Sequence, residues 1–402
     1  MSLKDFERYL GESRPHEAFR WLYLDRLWFS PDVKRSVGKA GEIIADSSVV
    51  TTKGEGRSGE VAHLISHMWS DVSGSSRDIR FASEAGAMNP ERLGVPDAVS
   101  VGISTSGETS EVVKWAEEMK KCGNYLIAFT SNRGSSLAHL SDLIVDTTSN
   151  SNSKEGADSV RSGSYEERQL IPHTRLVHPG YHTMGDPSEE KALLGGYAIA
   201  CGLLGEKTSP NKPIGYLRQW FQDEKKVEMY NALAKAIYHY GTEDDAGQVI
   251  ITGVGPSRHV GGMIINRASH YRINIKGSFA DDPPKMHANK MLLALSSSAR
   301  KENSNILREV RRKTRAELYG RTIEPYFFAV TGTYADWLGD CDAYIVVGSS
   351  RTRDYQFVRE LEDPELFYVV TPILLNSVLR TVANYLNIPE AGARFLHTNL
   401  PG

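Results

Sequence analysis

From Val49 onward the chain alternates short, nearly continuous apolar runs with segments whose apolar residues recur every three or four positions. Val49-Val50-Thr51-Thr52 is a β-branched run that ends at Gly54-Glu55-Gly56. Val61, Leu64, Ile65, Met68 and Trp69 then fall on one helical face. Further strands are predicted at Ile79–Ala82, Ala98–Ile103, Tyr125–Phe129 and Leu143–Asp146. A helix carrying Val112, Val113, Ala116 and Met119 follows the third of these five strands. Strands apolar on both faces and alternating with helices predict a parallel sheet covered on both sides.

The second half repeats this plan. Val249–Thr252 leads into Gly253-Val254-Gly255-Pro256-Ser257, and Met291–Leu295 leads into Ser296-Ser297-Ser298. Tyr326–Val330 leads into Thr331-Gly332-Thr333, and Tyr344–Val347 closes the set. The repeated order reads as an internal duplication. Outside it, residues 4–29 read as helical with breaks at Gly11 and Pro15, and Pro372–Leu386 reads as an apolar helix. Residues 147–187 lack periodicity, and a loop of that length is usually functional. Helix resumes at Ser188, expected as its cap, with Glu189 and Glu190 in the first turn. Thr208–Pro213 reads as a linker. The expected organisation is a helical arm (1–46), a first α/β domain (47–206), a linker and helix (207–246), a second α/β domain (247–350), and a C-terminal helix and tail (351–402).

Composition narrows the function classes. The 402 residues suit two ordinary domains, and 40% hydrophobic with 24% charged residues is typical of a globular chain. A net charge of -3 provides no general attraction for nucleic acid or an anionic membrane. Cys122, Cys201 and Cys341 are too scattered for a disulfide framework or a structural zinc site. No signal-peptide core opens the chain and no uninterrupted apolar span of about 18 residues occurs, so a cytoplasmic protein is expected.

Two turns carry candidate chemistry. Ser104-Thr105-Ser106-Gly107-Glu108-Thr109 follows a buried strand and precedes a helix, where unpaired N–H groups favour an anion. Hydroxyls at Ser104, Ser106 and Thr109 add donors, and Gly107 permits a tight turn. Simple capping of the helix by these hydroxyls explains the same residues equally well. Gly54-Glu55-Gly56-Arg57-Ser58 would place Gly56 and Ser58 at the same carboxyl edge of the sheet, where ligands bind in open α/β folds. Other clusters point more weakly. His173, His178, His182 and Asp186 match no standard metal spacing, and His63 and His67 lie on an ordinary amphipathic helix. The Arg308–Arg315 basic run reads as a solvated face.

Ser104–Thr109, followed by Ile127-Ala128-Phe129-Thr130-Ser131-Asn132, Ser135-Ser136-Leu137-Ala138 and Asp142, resembles the sugar isomerase (SIS) domain family across residues 49–146. Residues 247–348 resemble it in layout more than in motif. The resemblance implies two tandem doubly wound, flavodoxin-like three-layer sandwiches with parallel sheets of about five strands, similar to the isomerase half of glucosamine-6-phosphate synthase. It implies a phosphate held by Ser104, Ser106 and Thr109 with the amides of Thr105 and Gly107. Gly56, Ser58 and Ser159 would bind the sugar or its phosphate. Two-domain relatives take the substrate proton with a Glu on the first helix of the second domain and open the ring with a nearby His. Here that helix contains no Glu, His270 stands at its place, and His287 lies near the ring-opening position. His270, His287 and Glu155 are thus the candidate catalytic groups, histidine being able to act near neutral pH. The expected function is aldose–ketose isomerisation of a sugar phosphate, or deamination of an amino-sugar phosphate. The alternative is a sugar-phosphate sensor that has lost the base. No cofactor, metal, nucleic-acid partner or membrane is expected, the ligand is expected between the domains, and a homodimer is implied.

Overall fold

The computed structural model describes residues 2–73, 80–82, 98–148, 187–206, 208–242, 247–277, 290–298, 316–318, 321–323, 325–347, 364–386 and 388. These form two compact units, one from residues 22–148 and 187–216, the other from residues 2–21 and 217–388.

The first unit is built on a parallel sheet of β1 (Val49–Lys53), β2 (Arg80–Ala82), β3 (Ala98–Ile103), β4 (Tyr125–Thr130) and β5 (Leu143–Asp146), in the order β2-β1-β3-β4-β5. In β3 and β4 every residue after the first is buried, as the uninterrupted apolar runs require. Register is continuous across the sheet, with Val50 opposite Val99 and Val101 opposite Ile127. A buried polar chain crosses it: Asn124 donates to Ser100 Oγ at 2.8 Å, and Ser100 meets Thr51 Oγ1 at 3.0 Å. These hydroxyls satisfy one another, which is what permits them in a core.

The unit's helices are α2 (Pro31–Ala45), α3 (Arg57–Ser73), α4 (Ser110–Lys121), the short α5 (Ser136–Leu140) and α6 (Ser188–Leu203). Helix α2 lies within the expected helical arm, beyond the 4–29 stretch whose pattern reads as helical. Val33, Val37, Ala40 and Ile44 line one buried face, and Ser30 Oγ accepts from the Val33 N–H to cap it. Helix α6 packs against α3, where the buried Trp69 donates its Nε1–H to the Gly196 carbonyl at 2.8 Å. Ser188 does not cap α6. Pro187 occupies the cap position, and the Ser188 hydroxyl pairs with Thr147 Oγ1 instead.

The second unit has a parallel sheet of β6 (Gln248–Gly253), β7 (Ile275–Gly277), β8 (Lys290–Ser296), β11 (Tyr326–Thr331) and β12 (Ala343–Val346), ordered β7-β6-β8-β11-β12. This is the connectivity of the first sheet, a 2-1-3-4-5 order. A small antiparallel pair, β9 (Ala316–Leu318) and β10 (Arg321–Ile323), lies outside it. The likeness of the two sheets extends to single hydrogen bonds. The Asp142 carboxylate accepts from the Leu126 N–H at 2.8 Å, and Asp342 accepts from Phe327 at 2.6 Å.

The first helical segment, α1 (Leu3–Ser13), runs through Gly11, and the break falls at Arg14, whose φ is +40°. A short turn and a π-helical stretch, Phe19–Tyr23, follow. Phe6 of α1 stacks on Tyr238 of α8 (Glu224–Thr242), ring centroids 4.5 Å apart. The expected linker at 208–213 runs directly into α7 (Lys212–Trp220). The last helix, α10 (Pro364–Tyr385), begins two turns before Pro372 and includes it. By length and composition Leu366–Tyr385 could cross a membrane, but 94% of that window is buried inside the protein. None of the three cysteines forms a disulfide.

Candidate functional site

Parallel strands deliver the loops after β1, β3, β4 and β5 to one edge of the first sheet. The loop after β3 is Ser104–Thr109. Gly107 sits at φ +68°, a left-handed conformation. Its N–H donates to the Ser104 carbonyl at 3.2 Å and to Ser104 Oγ at 3.1 Å. Ser106 Oγ accepts from the Glu108 N–H at 3.1 Å.

Several hydrogen bonds bear on the choice between capping and anion binding, which is equally open on sequence. Thr109 is the N-cap residue of α4, yet its side chain makes no capping bond. Its hydroxyl lies 2.9 Å from Ser104 Oγ. The N–H groups of Thr105 and Ser106 meet no acceptor among the described residues, and Thr105 Oγ1 is buried without a partner. The first helical turn is only partly occupied: hydrogen bonds from its own N–H and from Ser110 Oγ at 2.9 Å hold the exposed Glu111 carboxyl below its ordinary range. A set of unmet donors at a helix N-terminus suits an oxyanion.

The loop after β4 braces this turn from below. Thr130 Oγ1, Ser131 N–H and Ser131 Oγ all donate to the Thr105 carbonyl, at 3.3, 3.2 and 2.8 Å. Asn132 Nδ2 donates to the Ser106 carbonyl at 3.2 Å. Four donors on two carbonyls fix the direction of the adjoining N–H groups.

The loop after β1 brings Gly56 and Ser58 to the same edge. Gly56 has φ +56°, and the space its missing Cβ would occupy is open. Ser58 is buried at the start of α3. In the second unit Gly253-Val254-Gly255-Pro256-Ser257 makes the same turn between β6 and α9 (Ser257–His270). Gly255 there also has φ +56° beside open space.

Of the other residues singled out on sequence, few are described. His270 is the partly buried last residue of α9, in the second unit. Glu155, Ser159 and His287 lie outside the described residues, as do His173, His178, His182, Asp186 and Arg308–Arg315. His67 pairs with Asp71 at 3.0 Å, an ordinary contact along α3. Among the described residues no three His, Cys, Asp or Glu side chains converge as metal ligands would. Sequence reading missed Arg57, which projects from the Gly-x-Gly turn onto Glu189 and Glu190 of α6, at 3.6 and 3.5 Å.

Comparison with known proteins agrees with this geometry. Residues 45–164 match the SIS domain model. Arabinose 5-phosphate isomerase KpsF of Escherichia coli O6:H1 is 28% identical over 150 residues, which are 33% of this chain and 44% of that protein. The chain thus aligns with less than half the length of its curated relative. Among solved structures, tagatose-6-phosphate ketose/aldose isomerase from Escherichia coli superposes with a TM-score of 0.60 at 12% identity, covering 94% of this chain and 93% of that one. The C-terminal domain of glucosamine-fructose-6-phosphate aminotransferase from Francisella tularensis gives 0.55 at 14% identity, covering 92% and 93%. At such identities the superpositions establish the α/β fold with its parallel sheets, and the SIS match covers residues 45–164, under a third of the chain.

Proposed function

We propose that the protein is a phosphosugar isomerase that interconverts the aldose and ketose forms of a sugar phosphate. The observation that carries this reading is the Ser104–Thr109 turn, whose Thr105 and Ser106 N–H groups are unmet beside an uncapped helix. In this reading Ser104, Thr105, Ser106, Gly107 and Thr109 hold the phosphate, and Gly56 and Ser58 line the approach of the sugar, with Ser159, outside the described residues, added to them. The SIS match and the isomerase activity named for KpsF support the substrate class.

The second unit is proposed to be a second SIS domain. Its identical strand order and the matching turn at Gly255 support that reading. His270, His287 and Glu155 are the groups proposed from sequence to move protons or open the ring. A cytoplasmic homodimer that needs no cofactor completes the proposal.

A sensor that binds the sugar phosphate without converting it is the second reading. What favours it is helix α9, which carries neither Asp nor Glu from Ser257 to His270. Two measurements separate these readings from each other and from none. Fructose 6-phosphate, arabinose 5-phosphate and glucosamine 6-phosphate are each incubated with the protein in deuterated water, and deuterium at C1 and C2 is followed by NMR. Exchange with one of them is expected; tight binding without exchange supports the sensor. Ser106→Ala with Thr109→Ala should weaken binding of the same esters at least tenfold, and unchanged affinity would remove the phosphate site.

A further inference from the structure

Arg57 stands between Gly56 and Ser58, and only 9% of its side chain is exposed. Two carboxylates face it from the first turn of α6. Glu189 Oε2 is 3.6 Å from its Nη1, and Glu190 Oε1 is 3.5 Å from its Nη2. Buried charge persists only where it is paired, and a helix's first turn favours acids. The two acids differ in access: the Glu190 side chain is 0% exposed, whereas Glu189 retains 13%.

Further bonds place this turn of α6 on the carboxyl edge of the sheet. Ser188 Oγ lies 2.5 Å from Thr147 Oγ1, and Lys191 Nζ donates to the Thr148 carbonyl at 2.5 Å. Thr148 Oγ1 donates to the Ser131 carbonyl at 2.9 Å, and Ser131 in turn grips Thr105 of the phosphate turn. Helix α6 therefore begins among the loops after β1, β4 and β5. It carries a partly open carboxylate on a backbone that is tied to the anion site.

We infer that Glu189 is the base that moves the proton between C2 and C1, with Arg57 and Glu190 as positioning residues. The inference rests on the isomerase reading above, and it supplies the carboxylate that α9 lacks. In the forward step the C2–H bond of the open-chain aldose phosphate breaks and its proton bonds to a Glu189 oxygen. The C–H electron pair forms the C1=C2 bond, and O1 takes a proton from water to give the enediol. O2 then releases its proton to water as C2=O forms, and the Glu189 carboxyl, whose acidic proton exchanges with solvent while the enediol is bound, delivers a proton to C1, where the C1=C2 electron pair forms the new C–H bond. C1 is reduced and C2 oxidised within one molecule, so no outside oxidant is needed. Glu190, enclosed behind Arg57, holds the guanidinium so that Glu189 keeps its orientation.

The test uses the full chain and whichever of the three sugar phosphates the wild type exchanges. Glu189→Gln should lower kcat for deuterium exchange at least a hundredfold, the range for loss of a general base, with KM within about threefold. Glu190→Gln should leave measurable exchange and lower Tm. Exchange by the wild type but also by a folded Glu189→Gln variant at more than one tenth of its rate overturns this inference and leaves the isomerase reading standing. No exchange by the wild type with any ester overturns both. If Glu189→Gln does not fold, Glu189→Asp keeps the charge and withdraws the carboxylate by one methylene. A lower kcat at unchanged KM supports the role, and undiminished kcat overturns it.

Discussion

The carboxylate of Glu108 accepts two hydrogen bonds from Ser136, one from its backbone N–H at 3.0 Å and one from its Oγ at 2.8 Å. Glu108 thus caps α5 from the turn that precedes α4, and Ser135 Oγ caps the same helix from within, accepting from Ala138 at 3.3 Å. The Ser-Gly-Glu-Thr and Ser-Ser-Leu-Ala segments are physically one unit. Their joint presence in the sequence has a structural cause apart from any ligand. Because the Glu108–Ser136 pair is exposed to solvent, its loss should be modest. Glu108→Ala is expected to destabilise the protein by about 1 kcal/mol in urea unfolding, within the range for a lost cap. It should weaken sugar-phosphate binding less than the Ser106→Ala and Thr109→Ala pair does.

Gly107 and Gly56 share a left-handed backbone but not a neighbourhood. A Cβ on Gly107 would lie 1.9 Å from Ser135 Oγ and 2.5 Å from Ser135 Cβ, whereas one on Gly56 would meet nothing within 4 Å. Gly56→Ala should therefore cost only the left-handed strain, about 1–2 kcal/mol. Gly107→Ala should cost clearly more. Adding Ser135→Gly to Gly107→Ala removes the clash at the price of a cap that glycine nearly replaces. Urea titration of the four variants should show strong positive coupling for the pair, and simple additivity would contradict the geometry.

Burial pushes the Tyr230 phenol up to about 12, although hydrogen bonds with Ser377 and Thr381 and the charge of Arg380 pull the other way. Its hydroxyl lies 2.8 Å from Thr381 Oγ1 in the interior of the second unit. Burial raises Tyr216 to about 12 as well. Below pH 10 both phenols are protonated whether the chain is folded or not, so stability is insensitive to them. Between pH 10 and about 12 the unfolded chain releases protons that the folded one keeps. Stability should then fall by up to about 1.4 kcal/mol per pH unit for each such tyrosine. Tyr230→Phe should give a shallower alkaline decline, measured as the change in unfolding free energy from pH 9 to 11.

The strands and the donor-rich turn after β3 were legible because their determinants are local. β3 and β4 are uninterrupted apolar runs, and the signature residues from Ser104 to Asp142 lie within one strand-helix-strand stretch. Helix α2 was legible too, in the Ser30-Pro31 start and the spacing of Val33, Val37, Ala40 and Ile44. β7 was not, since three residues ending in Lys276-Gly277 carry no periodic signal. Pro372 suggested a helix start by its missing N–H, yet packing carries α10 through it.

Chain order alone could not tell whether Thr109 caps α4 or turns to Ser104, because both bonds are within reach of the same hydroxyl. Nor could it show that Glu189 and Glu190 meet Arg57. That contact depends on how α6 lies across α3 after the chain has passed through four intervening strands. Residue type and short-range spacing determined the sheets and the donor-rich turn. The fold decided which charges became neighbours, because hydrophobic packing of helices sets those distances and the sequence records them only indirectly.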